Sequence, residues 1–98
     1  MANICNNEFY ACSDDPENMK YITSFFEKNF DIYNVWDQND NYMNLNFESK
    51  WAFPQDIMDE LAEGIPNKEN IFMRCLSVEY GNLYHELLIN DGYNWKSV

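Results

Sequence analysis

Cys5, Cys12, Cys75 and His85 are the residues of this 98-residue chain best suited to metal or nucleophile chemistry. A structural zinc needs a full tetrahedral set of converging ligands. Cys5 and Cys12 are seven positions apart, so on one strand they point to opposite faces. No Cys-x-x-Cys pair occurs, and His85 is the sole histidine. Cys5 or Cys75 with His85 would make a nucleophile–base pair, but no motif surrounds either thiol. Paired carboxylates could serve glycoside chemistry, yet 17 acidic residues make chance proximity the rule and single out no pair. The sequence therefore predicts a protein that is not an enzyme, with no catalytic, cofactor-binding or metal-binding residue. Three cysteines, an odd number, read as free thiols in a reducing compartment.

The other chemically expressive stretch is "FESKWAFPQDIMDELAEG", residues 47–64. Asp56, Asp59, Glu60 and Glu63 fall at i, i+3, i+4 and i+7 of a helix, with no Lys or Arg among them. Each like-charge pair at such spacing costs a helix roughly 0.2–0.5 kcal/mol, about 1–2 kcal/mol over the pairs 56/59, 56/60, 59/63 and 60/63. Asp56 recovers part of this at the positive end of the helix dipole, and salt screens much of the rest. A solvated helix face is one meaning of the stripe. The other is a surface built to meet positive charge, since carboxylates spaced along a rod imitate a phosphate backbone. Asp37 and Asp40, with Trp36 and Tyr42 beside them, form a second acidic patch with aromatic anchors of the kind interface hot spots use.

The whole-chain charge agrees with this emphasis. Seventeen acidic and six basic side chains give a net charge of −11. That argues against direct binding of nucleic acid or an anionic membrane, which need a basic footprint. It permits a basic protein partner and electrostatic steering toward it; solubility is the plainer consequence. No apolar run approaches the roughly 18 residues of a membrane span, and residues 1–15 lack the basic and apolar regions of a signal peptide. The expectation is a cytoplasmic protein of a bacterial host cell, the host following from the resemblance below.

The elements that must position these residues follow from periodicity. Residues 3–12 alternate as a strand, with Cys5, Asn7, Phe9 and Ala11 on one side. Asp14 or Asp15, Pro16 and Glu17 are a helix start, and Met19, Ile22, Phe25, Phe26 and Phe30 give an amphipathic helix over about 16–29. Residues 31–36 and 41–49 make a hairpin around "DQND". A second helix covers about 54–63, with Ile57, Met58 and Leu61 as its apolar stripe. Residues 70–80 are apolar enough for a central strand. Gly81-Asn82 is a tight turn, 83–89 a returning strand, and "NDG" another turn. The order predicts one α+β domain over 1–98: a ferredoxin-like βαββαβ arrangement with an added C-terminal strand, two helices on one face of an antiparallel sheet. The open face would carry Asn6, Glu8, Tyr10, Asn44, Asn46 and Glu48, polar and acidic with one stacking residue, unlike an RNA-binding sheet.

"MANICNNEFYAC", "LNFESKWAFPQDIMDELAE" and "LSVEYGNLYHELLINDG" resemble the YubB ferredoxin-like (Api92-like) family. The matching positions are Asn3, Cys5 and Asn7; then Phe47, Ser49, Lys50, Trp51 and Pro54; then Glu79 and Gly81. The last motif departs from the family pattern, reading "VEYGN" where a Tyr-Glu-Glu run would stand. The resemblance implies the fold and a habitat in bacteriophages, plasmids and other mobile elements, and transfers no catalytic residue.

Trp51 and Pro54 read as a structural joint, Trp51 capping the core and Pro54 taking the first helical position. Asn3 and Asn7 read as amides that pin strand ends, or, with Ser49, as the wall of a small polar pocket. The function expected is a small non-enzymatic accessory protein of a phage or mobile element. It would bind a basic, nucleic-acid-binding host protein, for example an anti-phage defence nuclease such as a CRISPR effector, and inhibit it by acidic mimicry. The alternative is a small-molecule or nucleotide-signal binding module using the open sheet face or a cleft near Asn7, Ser49 and Trp51. A homodimer through the last strand or the open face is compatible with either.

Overall fold

The computed structural model describes residues 4–31, 33–50, 52–81 and 84–98. The elements are β1 (Ile4–Cys12), α1 (Pro16–Asn29), β2 (Tyr33–Gln38), β3 (Tyr42–Lys50), α2 (Gln55–Glu63), a short 3-10 turn (Lys68–Asn70), β4 (Phe72–Glu79), β5 (Tyr84–Asn90) and β6 (Trp95–Ser97). They form one six-stranded sheet of order β2-β3-β1-β4-β5-β6, with every neighbouring pair antiparallel. The fold is α+β, and both helices lie on one face of the sheet.

The two-residue alternation of β1 and β3 decides which face they cover. Asn7, Phe9 and Ala11 pair across with Phe47, Leu45 and Met43, and all six are buried. From α1, Met19, Ile22, Phe25 and Phe26 come down on this face; from α2, Met58, Leu61 and Ala62 do. Phe26 is the centre of the packing. Its ring centroid lies 5.2 Å from Phe9, 5.4 Å from Phe47, 5.0 Å from Phe30 and 5.8 Å from Tyr33. Such pairs add to area burial by about 0.5–1.5 kcal/mol each.

Helix starts and joints follow local chemistry. Asp15 caps α1, its Oδ1 accepting from Glu17 N at 2.9 Å. Asn18 bolts the first turn of α1 to the segment before β4: its Nδ2 donates to the carbonyls of Asn67 and Asn70, both at 2.9 Å, and its Oδ1 accepts from Asn67 N at 2.8 Å. In α2, Pro54 occupies the N-cap position rather than the first helical one, and no side chain caps the end.

Two expectations about the strands are corrected. The chain after "NDG" forms β6, so two strands extend the sheet past β4 where one was expected. Gly92 makes the turn possible, with φ at +123° and no room for a Cβ against the Lys68 carbonyl. Trp95 then anchors β6, its Nε1 donating to Met58 O at 2.9 Å. β2 runs to Gln38, beyond the expected end, because a register shift between Val35 and Asp37 absorbs Trp36 and lets pairing resume. β4 is an interior strand, as expected; on it Met73, Cys75, Ser77 and Glu79 are buried, while Phe72, Leu76 and Val78 are half-buried and Arg74 is exposed. Trp51, Asn3 and the second residue of the Gly81-Asn82 turn lie outside the described residues. Among the described residues, no helix is long and apolar enough to cross a membrane.

Truncating Phe26 to Ala is expected to remove about 3–5 kcal/mol, a large part of a domain's usual 5–15 kcal/mol or so. Thermal denaturation should show Tm lower by roughly 15–30 °C, against little change for Ser24→Ala on the exposed side of α1. Near-equal Tm values for the two would show that Phe26 does not centre the core.

Candidate functional site

The acidic stripe is solvent-facing. Met58, Leu61 and Ala62 of α2 point to the sheet, and Asp56, Asp59, Glu60 and Glu63 are all exposed. Gln55 Nε2 donates to Asp59 Oδ1 at 2.9 Å, a neutral contact that fixes one carboxylate. Tyr21 of α1 reaches the other side of the helix, its hydroxyl donating to Glu60 O at 3.4 Å. Burial, then the Glu60 carboxylate, raises the Tyr21 phenol pKa. Among the described residues no cation pairs with the stripe. The nearest in sequence, Lys68, turns its ammonium to the Ala62 carbonyl at the end of α2, where the helix dipole favours positive charge. Among the described residues the one ion pair is Lys20–Glu17, at 3.5 Å on α1.

The second patch lies on the other side of the sheet. Trp36 is 60% exposed, and its Nε1 donates to Asn46 Oδ1 at 3.2 Å. The Tyr42 hydroxyl donates to Asp37 Oδ1 at 3.2 Å, and this bond raises the phenol pKa. Asn46 and Tyr42 belong to the face of β3 that no helix covers. Asp40 sits at the hairpin turn, lining a groove with residues of α1 such as Lys20 and Glu27. The structure thus brings Trp36, Asp37 and Tyr42 together and separates them from the α2 stripe by the thickness of the domain.

Asn7 and Ser49 do meet, but in a clasp rather than a cleft. Asn7 is fully buried. Its Nδ2 donates to Ser49 Oγ at 2.9 Å and Phe47 O at 3.3 Å, and its Oδ1 accepts from Ser77 Oγ at 2.6 Å. Ser49 Oγ donates onward to Ala52 O at 2.7 Å. One amide therefore ties β1 to β3 and β4 at the end where the chain leaves for α2. The Cys5 and Cys75 thiols lie 3.8 and 4.0 Å from the same Asn7 Oδ1. Burial pushes Cys75 up to about 12 and also raises Cys5, which disfavours the reactive thiolate at both. Glu79, at a position of the family resemblance, is buried and accepts from Gly81 N at 2.7 Å, closing the turn between β4 and β5. Among the described residues no group of three or more His, Cys, Asp or Glu side chains is placed to hold a metal ion.

The open face differs from its expected polar character. Beside Asn6, Glu8, Tyr10, Asn44, Asn46 and Glu48, it carries Phe72, Arg74, Leu76 and Val78 of β4 and Leu87 and Ile89 of β5. Arg74 lies over the Tyr10 ring, 5.1 Å from its centroid. The signal was the alternation inside 72–79, hidden because apolar residues occupy both phases. The chain matches no protein-family model, no curated protein and no solved structure.

Alkylation of the native protein at pH 8 should modify Cys12, which is half-buried, and spare Cys5 and Cys75 until unfolding. At that pH a thiol of pKa about 12 is ionised to roughly one part in ten thousand. Peptide mass spectrometry reads the result; labelling of Cys5 or Cys75 at the rate of Cys12 would contradict the closed clasp.

Proposed function

We propose that this chain is a non-enzymatic, acidic protein-binding module that attaches to a basic, nucleic-acid-binding protein through α2 and blocks its nucleic-acid site. The observation that carries this reading is the uncompensated stripe: four exposed carboxylates on one helix, none in an ion pair among the described residues. From Asp56 to Glu63 is about 10 Å of helix axis at 1.5 Å per residue. That is one charge per about 3.5 Å, close to the roughly 3.4 Å per phosphate along one DNA strand. A groove lined with Lys and Arg for a phosphate backbone would meet a similar charge density here, and the net charge of −11 would speed the encounter.

The fold and habitat belong to the same proposal. The strand order β2-β3-β1-β4, with α1 and α2 on one face, supports a ferredoxin-like core that β5 and β6 extend. Membership of the YubB-like family would make the natural setting a phage or mobile element in a bacterial cell, and the target a host defence protein. Ser49, Glu79 and Gly81, positions of that resemblance, serve the clasp and a turn, which suits a family signature made of fold-determining residues.

The test replaces Asp56 and Asp59 by Asn and Glu60 and Glu63 by Gln. Removing like-charge pairs relieves repulsion, so the variant should melt no lower than the wild type. Capture from bacterial lysate, read by quantitative mass spectrometry, should show a basic nucleic-acid-binding protein held by the wild type and reduced at least tenfold with the variant. Raised salt should weaken the wild-type complex steeply. Equal capture by the two proteins would remove α2 from the interface.

A further inference from the structure

The turn between β5 and β6 holds the only Asp-Gly pair of the chain, Asp91-Gly92, and the sequence has no Asn-Gly. Such a pair can react with itself. The backbone nitrogen of the glycine attacks the aspartate Cγ, and with no Cβ beside it that nitrogen is unshielded. The fold requires the glycine: its φ is +123°, and a Cβ there would strike the Lys68 carbonyl. The two reacting groups sit differently. Asp91 is exposed, while Gly92 is buried. The Gly92 N–H donates to Asn90 Oδ1 at 2.7 Å. Asn90 is fully buried, and among the described residues its Nδ2 finds no hydrogen-bond partner. A buried donor left unpaired is costly, so an apolar residue would serve better here if packing were the only task. Among the described residues the Asn90 side chain makes one hydrogen bond, the one to Gly92.

We propose that Asp91-Gly92 is the chain's site of spontaneous aspartate isomerisation, and that Asn90 is the positioning residue that keeps it closed in the folded state. The step balances without a further reagent. Gly92 N gives up its proton and bonds to Asp91 Cγ. The hydroxyl of the protonated Asp91 carboxyl takes up a proton and leaves as water, and a five-membered succinimide results. Water then adds to either ring carbonyl. Opening at the main-chain carbonyl leaves the chain running through Cγ, as isoaspartate; opening at Cγ restores aspartate. While the Gly92 N–H is bonded to Asn90 Oδ1 its proton is held, and that bond must break before the ring can close. The product has a structural consequence. Isoaspartate adds one methylene to the short connection that sets the pairing of Asn90 with Trp95 and of Ile89 with Lys96. The modified turn would unseat β6, and with it the Trp95 Nε1 bond to Met58 O that ties β6 to α2. An aged chain would lose the strand that steadies the acidic helix. The inference stands independently of the basic-partner reading.

Two readouts on the full chain carry the test. In the wild type, amide hydrogen exchange followed by NMR should show Gly92 protected at least tenfold over an unstructured glycine amide. The second readout uses Asp91→Asn, at an exposed position, as a faster reporter: Asn-Gly closes the same ring with loss of ammonia, and hydrolysis leaves an acid where an amide stood, which mass spectrometry reads. At pH 7.4 and 37 °C the folded variant should deamidate at least tenfold more slowly than a free peptide of residues 88–96 with the same change. Adding Asn90→Leu, of similar volume and with no donor to leave unpaired, should raise the rate in the folded chain at least fivefold, the Trp95 indole N–H signal serving as the measure of folding. If Asn90→Leu lost that signal, the wild-type Gly92 exchange rate would decide. Wild type stored at pH 6 should accumulate isoaspartate at Asp91 before any other aspartate, assayed with an isoaspartate-specific carboxyl methyltransferase, and the isolated product should lose the wild-type Trp95 indole signal. Gly92 exchanging at the unstructured rate, or Asp91→Asn deamidating as fast in the folded chain as in the peptide, would overturn the proposal. So would an unchanged rate in a folded chain carrying Asn90→Leu, which would make the protection a property of the turn and not of Asn90.

Discussion

Phe26 is enclosed by the rings of Phe9, Phe25, Phe30, Tyr33 and Phe47, and that enclosure sets the layout of the domain. To bury it, α1 must lie on the face of the sheet that Phe9 and Phe47 share. α2 completes the same layer, tied to β6 through the Trp95–Met58 hydrogen bond. Both helices are then on one side, and no described element covers the other. Two consequences follow. The outer side of α2 is free to carry charge, and the far face of the sheet remains a surface.

The outer side of α2 bears the mark of an unequal charge inventory. Of six cations, Lys20 meets Glu17, Lys68 meets a helix-terminal carbonyl and Arg74 meets an aromatic ring. Among the described residues none forms an ion pair with α2. Uncompensated carboxylates destabilise a helix only by tenths of a kcal/mol per pair, so a core of this kind tolerates them. The same charges act over a Debye length of about 8–10 Å in solution, far enough to orient an approaching basic protein. Charge that is nearly neutral for folding can be decisive for encounter.

Much of this was legible in the residues themselves. The strand β1 and helix α1 were plain because alternation and three-and-four spacing were each unbroken, with Asp15 and Pro16 marking the start. Cys5 and Cys12 pointed apart, as their odd separation required: Cys5 is buried, and Cys12 lies on the other face. The exposure of the stripe followed from Met58 and Leu61 fixing the inner side of α2. Other features depended on partners distant in sequence. β6 is a three-residue strand that exists because Trp95 finds Met58 O. The outer face of β4 was hidden by apolar residues in both phases. Asn7 was a candidate strand pin or pocket wall, and only the arrival of Ser77 from β4 decides between a clasp and a cavity. The placement of Trp36 depends on a bulge that no short-range pattern announces.

The most direct measurement of the central claim is competition. A labelled nucleic acid bound to the captured partner would be titrated with this chain at several salt concentrations and followed by fluorescence anisotropy. Acidic mimicry predicts strict competition: the apparent Kd for nucleic acid rises in proportion to the concentration of the chain, and the effect weakens as salt is raised. If the partner instead held the chain and the nucleic acid together, each with unchanged affinity, α2 would not be standing in for a phosphate backbone and the account would be wrong.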